Sequence, residues 1–231
     1  PRPSASGSAS VPHPECVEVT TRQDPVRSVI WLHGLGAARH EFEPHVPALQ
    51  LPADLPLRVV FPHAPVRPVT INGGMHMRAW YDIVSLDAEG RADADGVRES
   101  TALLEALVAR EIERGIPEEK IIIAGFSMGG AIAINTALTT SRNFAGLMAL
   151  STYLPIPGEV DASTSSRDRP VFMGHGTFDP MVMHQWGKAT EQRLAEAGFS
   201  IAWHEYPMAH AVCPDEIRDR RAWLHGVSQQ G

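Results

Sequence analysis

The stretch Ile121-Ile122-Ile123-Ala124-Gly125-Phe126-Ser127-Met128-Gly129, with Gly130 behind it, decides how this chain reads. Three β-branched residues in a row favour a buried strand. Gly-x-Ser-x-Gly ends that strand, and an apolar, alanine-rich segment follows. Strand, sharp turn and helix in that order form the setting of a nucleophile elbow. The turn forces a strained backbone on Ser127, while Gly125 and Gly129 leave room for close packing around it. The hydroxyl then stands above the end of a strand. The following helix begins beside it with unpaired N–H groups and positive dipole, which favour a developing oxyanion. The competing reading is a glycine-rich turn around an inert serine. The strand before and the helix after favour the elbow, and with it serine-dependent hydrolysis.

Outward from the elbow, strands and helices alternate. Residues 16–21 alternate weakly, as in an edge strand. Residues 26–32 form a buried strand that ends at His33-Gly34-Leu35-Gly36. A helix is expected over 40–49, limited by Pro44 and Pro47, and a short strand over 57–61. Residues 64–79 lack periodicity, contain Pro65, Pro68, Gly73 and Gly74, and read as a long irregular excursion. A helix is expected over 96–114, closed by Gly115, and another over 128–138 after the elbow strand. Then come a strand over 144–151, a polar loop over 155–169 and a strand over 170–173 leading into Gly174-His175-Gly176. A helix over 184–197 stops at Gly198. A strand over 199–206 and a helix over 214–227 complete the chain. The pattern predicts a single α/β domain over 15–231, with a mainly parallel central sheet and helices on both faces. Residues 1–14, rich in Pro, Ser, Ala and Gly, read as a flexible leader.

Composition removes several functions. With 231 residues, 43% of them hydrophobic, the chain can bury one sizeable core. A net charge of −7 and the lack of a basic block argue against nucleic acid as a partner. No apolar run reaches transmembrane length, so stable membrane insertion is not expected. The two cysteines, Cys16 and Cys213, are too few for a disulfide framework, with a single bridge left open. Cys213 reads as a half-buried free thiol, because no elbow surrounds it. The leader lacks the apolar core of a signal peptide. The expected location is the cytoplasm, with secretion the alternative. A homodimer is left open.

A serine hydroxyl needs a base, and the base needs an orienting acid. In sheets of this kind, catalytic groups lie beyond the carboxyl ends of strands. Asp179 follows the strand over 170–173, whereas Asp168 precedes it and Glu205 lies inside a strand. His210 follows the strand over 199–206. His204 lies within that strand, His184 in a helix start and His225 deep in the last helix. The triad is therefore read as Ser127, Asp179 and His210. An oxyanion hole needs two N–H groups aimed at one point. These are assigned to the backbone of Met128, directly after the nucleophile, and of Leu35, in the glycine-rich loop after an early strand. No histidine or cysteine spacing suits a metal, and no phosphate-binding loop is present, so no metal and no cofactor is expected. His33, His63 and His175 follow strands and read as structural polar residues. An acyl group needs an apolar wall, for which Leu35, Trp80, Met128, Leu154 and Val182 are candidates.

These pieces together resemble the phospholipase/carboxylesterase family of α/β-hydrolases, which includes bacterial carboxylesterases and acyl-protein thioesterases. The resemblance rests on His33-Gly34-Leu35-Gly36, Phe61-Pro62-His63-Ala64-Pro65, Asn72-Gly73-Gly74 with Met77-Arg78-Ala79-Trp80-Tyr81-Asp82, Gly125-Phe126-Ser127-Met128-Gly129-Gly130, Leu150-Ser151-Thr152-Tyr153-Leu154-Pro155, His175-Gly176-Thr177-Phe178-Asp179-Pro180 and Met208-Ala209-His210. It implies an α/β-hydrolase fold, the same triad and the same oxyanion donors. It also supports Trp80, through the Met-Arg-x-Trp piece, as a substrate-binding residue. Three positions depart from the family: Met128 replaces a common glutamine, Ala37 follows Gly36 where aspartate is common, and Ala209-His210-Ala211-Val212 replaces Gly-His-Ser-Val. They bear on substrate preference more than on reaction type. The expected function is a serine carboxylesterase acting on short- to medium-chain esters, a small-molecule acyl substrate. An acyl-protein thioesterase or lysophospholipase using the same triad is the alternative, and a non-catalytic binding protein of this fold is the third reading.

Overall fold

The computed structural model describes residues 13–36, 54–85, 93–159 and 169–229. The leader, the helix expected over 40–49 and most of the loop over 155–169 lie outside the described residues. Seven strands form the main sheet: β1 (Cys16–Thr20), β2 (Arg27–Leu32), β3 (Leu57–Pro62), β6 (Ile121–Phe126), β7 (Gly146–Leu150), β8 (Pro170–Gly176) and β9 (Ser200–Tyr206). Their spatial order is β1-β3-β2-β6-β7-β8-β9. Only β1 runs antiparallel, on β3; every other pairing is parallel. The carboxyl ends of β2, β6, β8 and β9 therefore share one rim. That geometry carries the strand-end argument from sequence into space.

Strand alternation divides the core into two layers. Ile30, Ile121, Ile123, Leu147, Val171 and Met173 point to one face. There they pack against α1 (Ala94–Glu113), α2 (Met128–Thr139) and α3 (His184–Glu196). Val29, Ile122, Met148 and Phe172 point to the other face, where Leu224 and Val227 of α4 (Pro214–Gln229) cover them. Helix α2 is buried on nearly all sides, because α1 lies over the face it turns from the sheet. This is the α/β arrangement with helices on both faces that the alternating elements predict. Among the described residues no helix is long and apolar enough to cross a membrane, and both cysteines are free thiols.

One segment differs from its reading. Residues 64–79 contain an antiparallel ribbon of β4 (Val66–Val69) and β5 (Met75–Arg78), joined by a tight turn over Thr70–Asn72. The ribbon is mostly exposed. Each strand gives the core only one residue, Val69 from β4 and Met77 from β5, too few to mark a hydrophobic period. Pro68 is tolerated because β4 pairs with β5 alone.

A buried charge under α4 gives a measurable consequence. Glu216 is fully enclosed. Among the described residues neither of its oxygens has a hydrogen-bond partner, and Arg220 Nη1 stands 3.5 Å away. Burial pushes its carboxyl up to about 7, and the Arg220 guanidinium only partly offsets this. A raised folded value means stability present below the ordinary 4.5 and lost as pH rises through 7. Glu216→Gln should remove that loss. Relative to the parent, the variant gains on the order of 3 kcal/mol between about pH 5 and about pH 8, read from denaturant melts of both proteins.

Candidate active site

The elbow starts from a packing constraint. A Cβ on Gly125 would lie 2.3 Å from the Gly129 backbone carbon, and one on Gly129 would lie 2.2 Å from the Leu32 carbonyl oxygen. Only hydrogen fits at either position. Helix α2 can therefore start directly against the ends of β2 and β6, with Ser127 squeezed between strand and helix. Ser127 takes φ 54°, ψ −116°, a backbone region that residues with a Cβ rarely occupy. It stands at the N-cap of α2, yet its hydroxyl makes no capping bond. The hydroxyl instead meets His210 Nε2 at 3.0 Å.

His210 is carried on the loop after β9. Its Nδ1 lies 2.7 Å from Asp179 Oδ2. A carboxylate only accepts, so Nδ1 holds the proton and Nε2 offers a lone pair to the Ser127 hydroxyl. Asp179 follows β8, and its other oxygen accepts from the backbone N–H groups of Met181 and Val182, both at 2.9 Å. Burial alone would raise the Asp179 carboxyl. The hydrogen bonds from His210 and from these two amides outweigh it and hold the group below the usual carboxylate range. The loops of acid and base are tied directly, Phe178 N–H donating to the Met208 carbonyl at 3.1 Å. The structure thus brings Ser127, Asp179 and His210 into one hydrogen-bonded line.

The Leu35 loop lies against this line. A Cβ on Gly34 would be 3.7 Å from Ser127 Cβ and 3.3 Å from the Phe126 ring. The loop's orientation is set by His33. The Ala64 N–H donates to His33 Nε2 at 3.0 Å, which leaves the proton on Nδ1, 2.5 Å from the Gly34 carbonyl. Gly34 C=O and Leu35 N–H share one planar trans peptide and point in opposite directions. Fixing the carbonyl therefore aims the amide. Trp80 secures the same loop: its indole N–H donates to the His33 carbonyl at 3.0 Å, and its ring lies 5.2 Å from the His33 imidazole. The Met128 N–H, at the first turn of α2, is one of the donors that a helix start leaves without an intrahelical partner. The Met128 thioether is pinned by the Trp80 backbone N–H at 3.2 Å.

The substrate-wall candidates fare differently. Trp80 is 1% exposed, Val182 0% and Leu154 8%. None of the three offers the open wall expected of it, because each is enclosed by other work. Trp80 buttresses the His33 loop. Val182 supports Asp179. Leu154 is drawn into the core, its amide donating to Thr190 of α3 at 2.8 Å. Among the described residues, apolar side chains left accessible on the loops of the triad and oxyanion hole include half-buried Leu35 and exposed Phe178 and Met181. Phe178 and Met181 flank Asp179 in sequence, and that adjacency was the signal available for them. Phe126 is a further contributor: its ring lies 4.9 Å from that of His210 and also touches the Gly34 position. As the x of Gly-x-Ser, it carried no signal of its own.

Comparison with known proteins places the chain in a family. A family model described as phospholipase/carboxylesterase matches residues 14–227. An acyl-protein thioesterase 1 of Cryptococcus neoformans is 36% identical over 228 residues, covering 90% of this chain and 95% of that protein. An acyl-protein thioesterase 1 of Mycosarcoma maydis is 37% identical over 220 residues, covering 88% and 92%. Among solved structures, Arabidopsis thaliana SOBER1 superposes with a TM-score of 0.78 at 28% identity, covering 87% of this chain and 98% of that one. Zea mays acyl-protein thioesterase 2 gives 0.78 at 25% identity, covering 94% and 100%. With an α/β-hydrolase fold and a match over nearly its whole length, the chain belongs to the phospholipase/carboxylesterase family of hydrolases.

Proposed function

We propose that the protein is a serine esterase that cleaves short- to medium-chain carboxylic esters through an acyl-enzyme on Ser127. The observation that carries this reading is the unbroken line Ser127 Oγ–His210–Asp179, at 3.0 and 2.7 Å. As Oγ attacks the ester carbonyl, His210 Nε2 takes its proton. Asp179 holds the ring in the Nδ1–H tautomer and balances the imidazolium that forms. The carbonyl oxygen becomes an anion facing the N–H groups of Met128 and Leu35, each such donor contributing about a hundred- to a thousandfold to turnover. His210 then returns the proton to the leaving alcohol, and water repeats the sequence on the acyl-enzyme. The non-catalytic reading leaves this alignment of hydroxyl, imidazole and carboxylate without a purpose.

A second reading is favoured by the fungal relatives, which are named acyl-protein thioesterases. The same line of residues suits thioesters, since a thiol of ordinary pKa near about 8.5 leaves with less proton assistance than an alcohol. Lysophospholipid esters fit the same chemistry. The test is labelling with an active-site phosphonate, followed by rates on matched oxygen esters, thioesters and S-acylated peptides of graded chain length. A phosphonate adduct on Ser127 and a higher kcat/KM for short oxygen esters support the first reading. The adduct with a preference for thioesters or acylated peptides selects the second. An unlabelled Ser127 in folded protein overturns both.

A further inference from the structure

Asp179 has a second histidine behind it. His175, near the end of β8, is buried between the sheet and α3. Its Nε2 lies 2.8 Å from the Val182 carbonyl and 3.8 Å from Asp179 Oδ2. A carbonyl only accepts, so Nε2 carries the proton. The same residue, Val182, sends its N–H to Asp179 Oδ1. Val182 is therefore gripped on both sides, its carbonyl by His175 and its amide by Asp179.

The imidazole has little freedom to leave this position. A Cβ on Gly187 of α3 would lie 2.4 Å from His175 Nδ1 and 2.8 Å from its Cε1, so the helix backbone is pressed against the ring. Trp203 of β9 stacks on it with centroids 6.1 Å apart, and His184 meets it edge-on at 6.0 Å. The charged and titratable groups around it are Asp179 on its own loop, His210 beyond Asp179, His184 and Lys188 on α3, and Glu205 on β9. Lys188 sits over Trp203 at 4.8 Å, and Glu205 accepts from His184 at 2.9 Å. Burial holds His175 below its ordinary value, although the Val182 carbonyl and Asp179 pull the other way. Among the described residues its one hydrogen bond is the Nε2–H donated to the Val182 carbonyl.

We propose that His175 is a positioning residue for the acid: by fixing the Val182 carbonyl it keeps the Met181 and Val182 amides on Asp179 Oδ1, so that Oδ2 stays aimed at His210. This inference rests on the Ser127–Asp179–His210 reading. Sequence alone made His175 a structural polar residue; the closed path through Val182 gives it a more specific task.

The test uses the full chain and p-nitrophenyl butyrate. His175→Leu fills the space without a donor, while His175→Gln keeps an N–H near the Nε2 position. The leucine variant should lose about 10- to 100-fold in kcat with KM nearly constant, the scale seen when outer partners of an active group are removed. The downfield proton resonance of the His210–Asp179 hydrogen bond should shift upfield. The glutamine variant should recover most of the kcat and restore the resonance. Gly187→Ala, which displaces the ring by a single methyl group, should reproduce the leucine result and serves if leucine prevents folding. A folded leucine or alanine variant with parental kcat, or a glutamine variant as impaired as leucine, overturns the proposal. If the parent protein fails to take phosphonate on Ser127, the underlying triad reading fails instead. A labelled parent with an unimpaired leucine variant removes the His175 role alone.

Discussion

Ser127→Gly and Ser127→Ala should be equally inactive but unequally stable. Each removes the nucleophile, and loss of a catalytic serine costs about a million-fold in kcat. Each also loses the hydroxyl's hydrogen bond to His210. They differ in the backbone. At φ 54°, ψ −116°, any residue with a Cβ is strained by about 1–3 kcal/mol. Alanine keeps that strain and glycine releases it, at an entropic cost of about 0.5–1 kcal/mol. The glycine variant should therefore exceed the alanine variant by about 1 kcal/mol, or about 2–4 °C in Tm for a domain of this size. Urea melts of the two proteins check this directly. A glycine variant less stable than alanine would show that the elbow is not strained in solution. The comparison bears on mechanism, because the same strain sets the hydroxyl outside the capping position and beside the free N–H of Met128.

The sequence and the structure agree most closely where one physical requirement dominates. Gly125 and Gly129 could be assigned from the motif because no side chain fits between two backbones, and the distances give that reason. Asp179 and His210 could be found because parallel strands put their carboxyl ends at one rim, and a residue just past a strand has few other places to be. The ribbon over Val66–Val69 and Met75–Arg78 was not legible, since an exposed two-stranded ribbon imposes no hydrophobic period. Trp80, Leu154 and Val182 illustrate a different limit. Loop position near a site is visible in sequence, but inward or outward direction is not. The Trp80 side chain turned inward to give its indole N–H to the His33 carbonyl, whereas Leu154 and Val182 are tied by their backbone amides to the Thr190 hydroxyl and the Asp179 carboxylate and have buried side chains. His33 was recognisable as a polar residue after a strand; His175 was read the same way, but β8 runs on past the expected 170–173 and contains it. Their tasks depend on which ring nitrogen faces which carbonyl, a property of three-dimensional placement alone.

Asp179→Asn should lower kcat by about ten-thousandfold while leaving KM little changed. The reason is a forced change of tautomer. In the parent, Oδ1 accepts the Met181 and Val182 amides and Oδ2 accepts from His210 Nδ1. The asparagine oxygen must stay with the two amides, because an NH2 group there would meet two donors. Its NH2 group then faces His210 Nδ1, which has to become the acceptor. The single proton of the neutral ring moves to Nε2, pointing at the Ser127 hydroxyl, and the base can no longer take a proton from it. Shape is conserved and the direction of the proton path is reversed, so substrate binding should survive. The same variant carries a pH signature. Because Asp179 is held below its usual value of 3.8, its contribution to stability is present above that value and is lost as pH falls through the lower folded one. The parent should therefore lose stability in acid more steeply than Asp179→Asn, whose side chain does not titrate. A kcat reduced less than about tenfold would assign the orienting acid to another residue. Parallel acid limbs of the two stability curves would show that the carboxylate is not specifically stabilised by His210 and the two amides.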